Sequence, residues 1–368
     1  MDFTFSQEQD ELAALVRRIA TDHVSQARLK QVEEQPVHFD RELWSALADA
    51  GVLAAALPDT VGGGGLDLLE QCGVLVELGR AVAPVPYLVN TMGAAALSYF
   101  GTDEQRARWA APAAAGELVL TVALTEDLVD FPEDPTTRAE RDGAGWRISG
   151  AKAVVPFAGV AAGFLVPART AEGVQLFLVL PGDAGVAIEG QQIVDGDQEG
   201  ALDLRDVRLP VDRLVPGADV VHWLHARMTV GYCALQLGVL ERALELTAAY
   251  AREREQFGRP IGSFQAVAQR LADAYIDVQG VRLTMWEAAW RIANALPGSG
   301  PIATAKFWAA DAGHRVAHTA VHVHGGTGID TDAPLHRYFV AAKRNEFALG
   351  GATEQLRRLG RLLADSPA

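Results

Sequence analysis

Arg252-Glu253-Arg254-Glu255-Gln256-Phe257-Gly258-Arg259-Pro260-Ile261, running on to Phe264-Gln265, is the stretch on which the fold of this chain is decided. Alternating charges close a helical segment, Gly258-Arg259-Pro260 stops it, and Ser263 is placed to cap the next helix. That next helix has an apolar face through Val267, Leu271, Tyr275 and Val278. By itself such a charge run reads as a solvated helix end. It gains weight from a glycine-rich stretch roughly seventy residues further on, His322-Val323-His324-Gly325-Gly326-Thr327-Gly328.

Outward from these two stretches the chain changes texture twice. Pro297-Gly298-Ser299-Gly300-Pro301 separates the helix after Ser263 from another over residues 303 to 323, so residues 219–368 read as a C-terminal helix bundle. Residues 119–218 alternate short β-prone runs (Val119 to Val122, Phe164 to Val166, Gln175 to Leu180, Leu202 to Val207) with Gly, Pro and Asp turns, as in a small barrel or sandwich. Residues 1–118 return to helical spacing, as in Leu12, Leu15, Val16 and Ile19. Breakers interrupt them at Pro58 to Gly65 and at Pro84-Val85-Pro86. The expected class is α+β in three blocks: a helical domain, a middle β domain and a helical bundle.

Composition narrows the function. The chain has 368 residues and a formal net charge of -15, which argues against nucleic acid as a partner, since phosphate binding needs clustered Lys and Arg. Met1-Asp2-Phe3-Thr4-Phe5-Ser6 lacks the blocks of a signal peptide, and no apolar run is long enough for a membrane span. Cys72 and Cys233 have no metal-like spacing, so reduced thiols in a cytoplasmic protein are expected.

Residues 252–265 closely resemble the flavin-contacting motif of the acyl-CoA dehydrogenase family, and His-Gly-Gly-Thr-Gly resembles that family's Gln-x-x-Gly-Gly-x-Gly turn. Block order and lengths agree, so the resemblance covers essentially the whole chain. It implies that the C-terminal bundle is a four-helix bundle, with FAD as cofactor, an acyl-CoA thioester as substrate, and an electron-transfer flavoprotein as electron acceptor. It also implies an FAD shared across a subunit interface: one subunit's β domain cradles the ring, and its neighbour's C-terminal helices hold the pyrophosphate and adenosine. On that basis Arg254 would hold the pyrophosphate, where a permanent, forked charge suits phosphate oxygens. Gln256, Phe257 and Gln265 would line the site, and Gly325 and Gly326 would bring backbone N–H groups close. His322 stands where the family has Gln. On the ring side, Thr125 in Ala123-Leu124-Thr125-Glu126 could reach flavin edge atoms, or could equally be a strand threonine without a ligand. The following Asp127-Leu128-Val129-Asp130-Phe131-Pro132 has lost the family's Pro-Gly-Ala-Gly-Ser-Asp turn. Val154 and Pro156, after Gly150-Ala151-Lys152, replace its Trp and Thr.

The family's catalytic glutamate is also missing. Ungapped alignment through Leu335-His336-Arg337 puts Leu349 at its position, and a slip of one or two residues offers only Gly350 or Gly351. The alternative position, just before an Arg, reads Ala226-Arg227. Glu346 and Glu354 are the nearby carboxylates that a displaced base would need. His314, His318 and His322 share one helix face, but three ligands two turns apart cannot hold one Zn²⁺, so packing or interface contacts are expected and no metal. The resemblance is to the base-lacking subunit of actinobacterial heterotetrameric acyl-CoA dehydrogenases of steroid type, which implies a homologous catalytic partner subunit. A self-sufficient homotetramer with a displaced base, and a non-redox CoA-ester binding or structural subunit, are the alternatives.

Overall fold

The computed structural model describes residues 4–127, 129 and 131–365. Part of the amino-terminal reading (Met1 to Phe3) and Leu128 and Asp130 of the altered turn lie outside the described residues. In chain order the helices before the sheet are α1 (Gln7–His23), α2 (Gln26–Glu33), α3 (Arg41–Asp49), α4 (Leu68–Arg80), α5 (Tyr87–Phe100), α6 (Asp103–Gln105) and α7 (Ala111–Ala114). The strands are β1 (Leu120–Val122), β2 (Arg138–Asp142), β3 (Gly145–Val155), β4 (Gly163–Thr170), β5 (Gly173–Val179), β6 (Val186–Gln192), β7 (Gln198–Leu209) and β8 (Leu214–Val215). The chain then runs through α8 (Val220–Glu253), a hairpin of β9 (Glu255–Gln256) and β10 (Arg259–Pro260), α9 (Gln265–Ala293), α10 (Ser299–His324), α11 (Leu335–Phe347) and α12 (Ala352–Asp365). A helical N-terminal part, a central mixed sheet and a helical C-terminal part are thus the observed architecture.

Packing divides the described residues into two compact units that cut across the three blocks read by texture. One takes the chain up to Gln26, Leu68–Ala83 and everything from Thr229 on; the other takes Ala27–Asp67 and Pro84–Met228. In the first unit, α1 begins with a capping box, Ser6 accepting from the Gln9 N–H and Gln9 closing back on the Ser6 N–H. Arg17 pairs with the buried Glu77 of α4 at 2.6 Å. Gly79 and Gly238 bring α4 and α8 together so closely that a Cβ at Gly238 would stand 1.9 Å from the Val76 carbonyl oxygen. Buried Gln236 of α8 donates to the carbonyls of Ala309 and Ala342, binding α8 to α10 and α11.

Three helical details differ from expectation. Phe264, not Ser263, occupies the α9 N-cap, because the Ser263 hydroxyl turns back to the Pro260 carbonyl. Tyr275 is 59% exposed; the buried stripe of α9 runs instead through Ala274, Val278, Val281 and Met285. The α10 helix starts at Ser299 rather than 303, since Pro301 fits a first helical turn that needs no N–H donor there.

In the second unit an eight-stranded sheet among the described residues runs in the order β6-β7-β3-β2-β4-β5-β8, with β1 added parallel to β4. The β-prone runs read from sequence fall on β1, β4, β5 and β7. Its core is apolar, with Trp146, Ile148, Phe164, Val166, Phe177 and Val207 inside. The register of β3 against β7 slips twice, between Ile148 and Gly150 and between Lys152 and Val155. Such bulges re-aim side chains, and here they bracket Lys152 and Val154.

Candidate functional site

The two motifs separated in sequence meet within the first unit. The last turn of α8 carries Tyr250, whose carbonyl accepts from the Arg254 N–H. The Tyr250 ring stacks on His324, with centroids 4.3 Å apart and planes at 20°. His324 ends α10, and Gly325 follows it at φ +63°, a conformation that strains any residue with a Cβ. Burial holds the His324 ring below the ordinary histidine range, against a 2.9 Å contact of Nδ1 with the Ala320 carbonyl, so the stack is one of neutral rings at neutral pH. Gly325 and Gly326 are exposed, and a Cβ on either would meet nothing within 4 Å, so their backbone is open to an approaching group.

The 252–265 stretch folds as a two-residue hairpin rather than a plain helix end. Gln256 pairs with Arg259 and Glu255 with Pro260, leaving Phe257 and Gly258 at the tip with φ of +55° and +76°. Two positive φ values define a tight type I′ turn, which a phenylalanine adopts only under strain. Phe257 is also 92% exposed and lies edge-on to Phe264, with ring centroids 6.1 Å apart. Arg259 covers the Phe264 ring at 4.2 Å. Exposed Arg254 makes no side-chain hydrogen bond or ion pair among the described residues. Gln256 Nε2 donates only to the neighbouring Glu255 carbonyl; Gln265 and His322 are exposed. The two stretches thus present an exposed aromatic, a guanidinium with no side-chain partner among the described residues and an open glycine turn, and a guanidinium fork and free backbone N–H groups are groups that suit phosphate oxygens.

Past α11 the chain makes a second left-handed turn, with Leu349 at φ +55° and Gly350 at +93°. Buried Gln355 holds it, Nε2 lying 3.1 Å from the Leu349 carbonyl oxygen. From the other side, fully buried Lys306 donates 3.0 Å bonds to the carbonyls of Asn345 and Glu346, capping the end of α11 with an ammonium. Burial pushes the Lys306 pKa down to about 8. The Glu346 carboxylate is engaged by Lys343 and lies 3.3 Å from His314 Nδ1. Glu354 lies in the first turn of α12, its carboxylate facing Gly351. Along α10, the His314 and His318 rings lie 4.3 Å apart with planes tilted by 39°, and His318 meets Phe339 edge-on.

Thr125 belongs to the other unit. It is half-buried, and its carbonyl accepts from the Ala153 N–H, tying the loop after β1 to β3. Beside it lies a pair that sequence reasoning missed. Lys152, 1% exposed, donates to Glu126, 4% exposed, at 2.6 Å. Burial pushes the Glu126 carboxyl up, but the Lys152 charge and hydrogen bonds from Lys152, Thr136 and Thr137 outweigh it and hold the pKa down to about 2. Both charges look like surface residues in sequence; only the alternation of β3 around them hints otherwise. Val154, at φ +52° and 41% exposed, has its N–H taken by Gln191 Oε1 at 2.9 Å. Pro156 is buried and accepts from the Thr121 hydroxyl. Thr125, Val154 and Pro156 thus each have a backbone group bonded to another residue of this unit.

No helix among the described residues is long and apolar enough to cross a membrane. Residues 6–117 match the model of the acyl-CoA dehydrogenase N-terminal domain, and residues 217–363 that of the C-terminal domain. The chain is 48% identical to acyl-CoA dehydrogenase FadE27 of Mycobacterium tuberculosis over the full length of both. It is similar to a chain of the ChsE4-ChsE5 complex from the same organism (49% identity, TM-score 0.96, all of both chains). It also resembles a chain of the Tcur3481-Tcur3483 steroid ACAD (42% identity, TM-score 0.93, 98% of each chain). By these matches and by the fold, the chain belongs to the acyl-CoA dehydrogenase family.

Proposed function

We propose that this chain is the base-lacking subunit of an FAD-dependent acyl-CoA dehydrogenase, and that it completes the FAD site of a homologous, glutamate-bearing partner in a heterotetramer. The observation that carries the proposal is the turn after α11. Leu349 and Gly350, the positions that the family resemblance gives to the base, form a left-handed turn held by Gln355, and Lys306 caps the helix before it. Glu346 accepts from Lys343, so its carboxylate is already committed within the chain. FAD when bound supplies hydride acceptance from Cβ of the acyl group. Toward it, Arg254 would hold the pyrophosphate, Phe257, Gln256 and Gln265 the adenosine end, and the Gly325-Gly326 backbone with His322 the turn beside it. Thr125 would remain a minor contact on the ring side, where Val154 and Pro156 supply no aromatic wall or hydroxyl.

The division of residues 1–118, 119–218 and 219–368 into three blocks gives this account its division of labour: the third block serves the partner, and the second has lost its ring contacts. Two relatives are named as two-protein complexes and one of these as a steroid ACAD, which supports a related partner chain and a steroid-derived CoA thioester. A 26% identical structural relative named for an electron-transferring flavoprotein supports such a protein as acceptor. A cytoplasmic location completes the reading.

The test is expression of the chain alone and with a glutamate-bearing homologue. Alone it should purify with little flavin and no desaturase activity; together the two should give a yellow, active complex. Stoichiometric FAD and acyl-CoA desaturation by the chain alone would favour the self-sufficient alternative, and no flavin in either preparation the non-redox one.

A further inference from the structure

A second constellation lies in the sheet-containing unit, on the first turns of α8. Arg227 is half-buried, with its guanidinium carbon 3.9 Å from the centroid of the Trp223 ring. Trp223 in turn meets Tyr99 at 5.6 Å and Phe100 edge-on at 5.4 Å. Phe100 is fixed from behind by Gly217, where a Cβ would come within 2.7 Å of the ring. No hydrogen bond or ion pair joins Arg227 to another described residue. The Asp67 carboxylate favours its charged form, but burial outweighs that and brings its pKa down to about 10, so it stays charged at neutral pH.

A guanidinium withdrawn from water is unfavourable unless its donors find acceptors. Stacking on Trp223 uses the face of the cation and leaves the N–H groups of its planar fork unserved. The fork matches a carboxylate, which accepts two parallel N–H bonds. The exposed edges of Tyr99 and Trp223 supply an apolar wall beside the cation.

We propose that Arg227 with Tyr99, Phe100 and Trp223 forms a binding site for an apolar monocarboxylic acid, its carboxylate in the plane of the guanidinium and its body against the aromatic rings. This site is independent of the flavin reading, since it uses none of the residues assigned to FAD. Calorimetric titration of the full-length chain with 3-phenylpropionate, with its methyl ester and with inorganic phosphate tests it. The acid should bind saturably, the ester at least about tenfold more weakly because it has lost the anionic two-oxygen acceptor, and phosphate more weakly than the acid because it has no apolar body to lie against the aromatic rings. Arg227→Leu, checked for native circular dichroism, should lose binding by at least about tenfold. Should that variant fail to fold, Arg227→Lys keeps the charge without the fork and should bind several-fold more weakly. Equal binding of acid and ester, phosphate binding as tightly as the acid, no saturable binding of the acid, or unchanged affinity in a folded Arg227 variant overturns the proposal.

Discussion

Replacing Lys152 by Met removes one half of the buried Glu126–Lys152 pair that anchors the loop of Thr125 to the strand of Val154. The two side chains are 1% and 4% exposed and 2.6 Å apart, so neither has solvent to fall back on. Breaking a buried pair from one side costs roughly 3–5 kcal/mol. The lower end applies here, because Glu126 keeps the Thr136 and Thr137 N–H bonds at 2.6 and 3.2 Å, which predicts about 3 kcal/mol. Adding Glu126→Gln keeps one acceptor oxygen, for the two Thr136 bonds, and removes the stranded charge. The double variant should therefore lose about 2 kcal/mol less than the sum of the singles. Urea unfolding followed by circular dichroism, with Trp146 fluorescence reporting on the sheet core, measures both. The pH dependence has a definite sign. A carboxyl held at about 2 instead of 4.5 contributes stability above pH 4.5 that is lost as pH falls toward 2, so wild type and Lys152→Met should converge across that window. Single losses below about 1 kcal/mol, strict additivity, or no convergence in acid would refute the reasoning.

Arg254→Ala should leave the stability of the isolated chain within about 0.5 kcal/mol, because the side chain is exposed and unpaired, yet lower the flavin content of the co-purified complex, read from its visible absorbance. Lys306 titrates at about 8 when folded against 10.5 ordinarily, so the folded chain should gain up to about 3 kcal/mol as pH rises through that interval. Lys306→Met should abolish that alkaline rise in urea midpoints, and persistence of the rise would assign it elsewhere.

The motifs that named the family were legible because their residue types are unusual together: charge alternation, a Phe-Gly, and paired glycines after a histidine. The hairpin they form was not, since four strand residues leave no periodicity and the strained φ of Phe257 follows from the turn rather than from its own preference. Strand β6 escaped notice because it is mostly exposed and carries Gly190 and two glutamines, so it lacks an apolar alternation. Lys152 and Lys306 read as surface charges until their partners, 26 and about 40 residues away, are brought beside them. The expectation of a missing base rests on the sequence, whereas the commitment of Glu346 to Lys343 and of the Leu349 carbonyl to Gln355 is visible only in the folded chain.

The central claim is that this chain holds half of one cofactor site and none of the other. It is tested most directly by counting FAD against protein in the purified complex with the partner. The account predicts one FAD for each pair of unlike chains, released when Arg254 of this chain is replaced. One FAD for every chain, retained after that replacement, would contradict it.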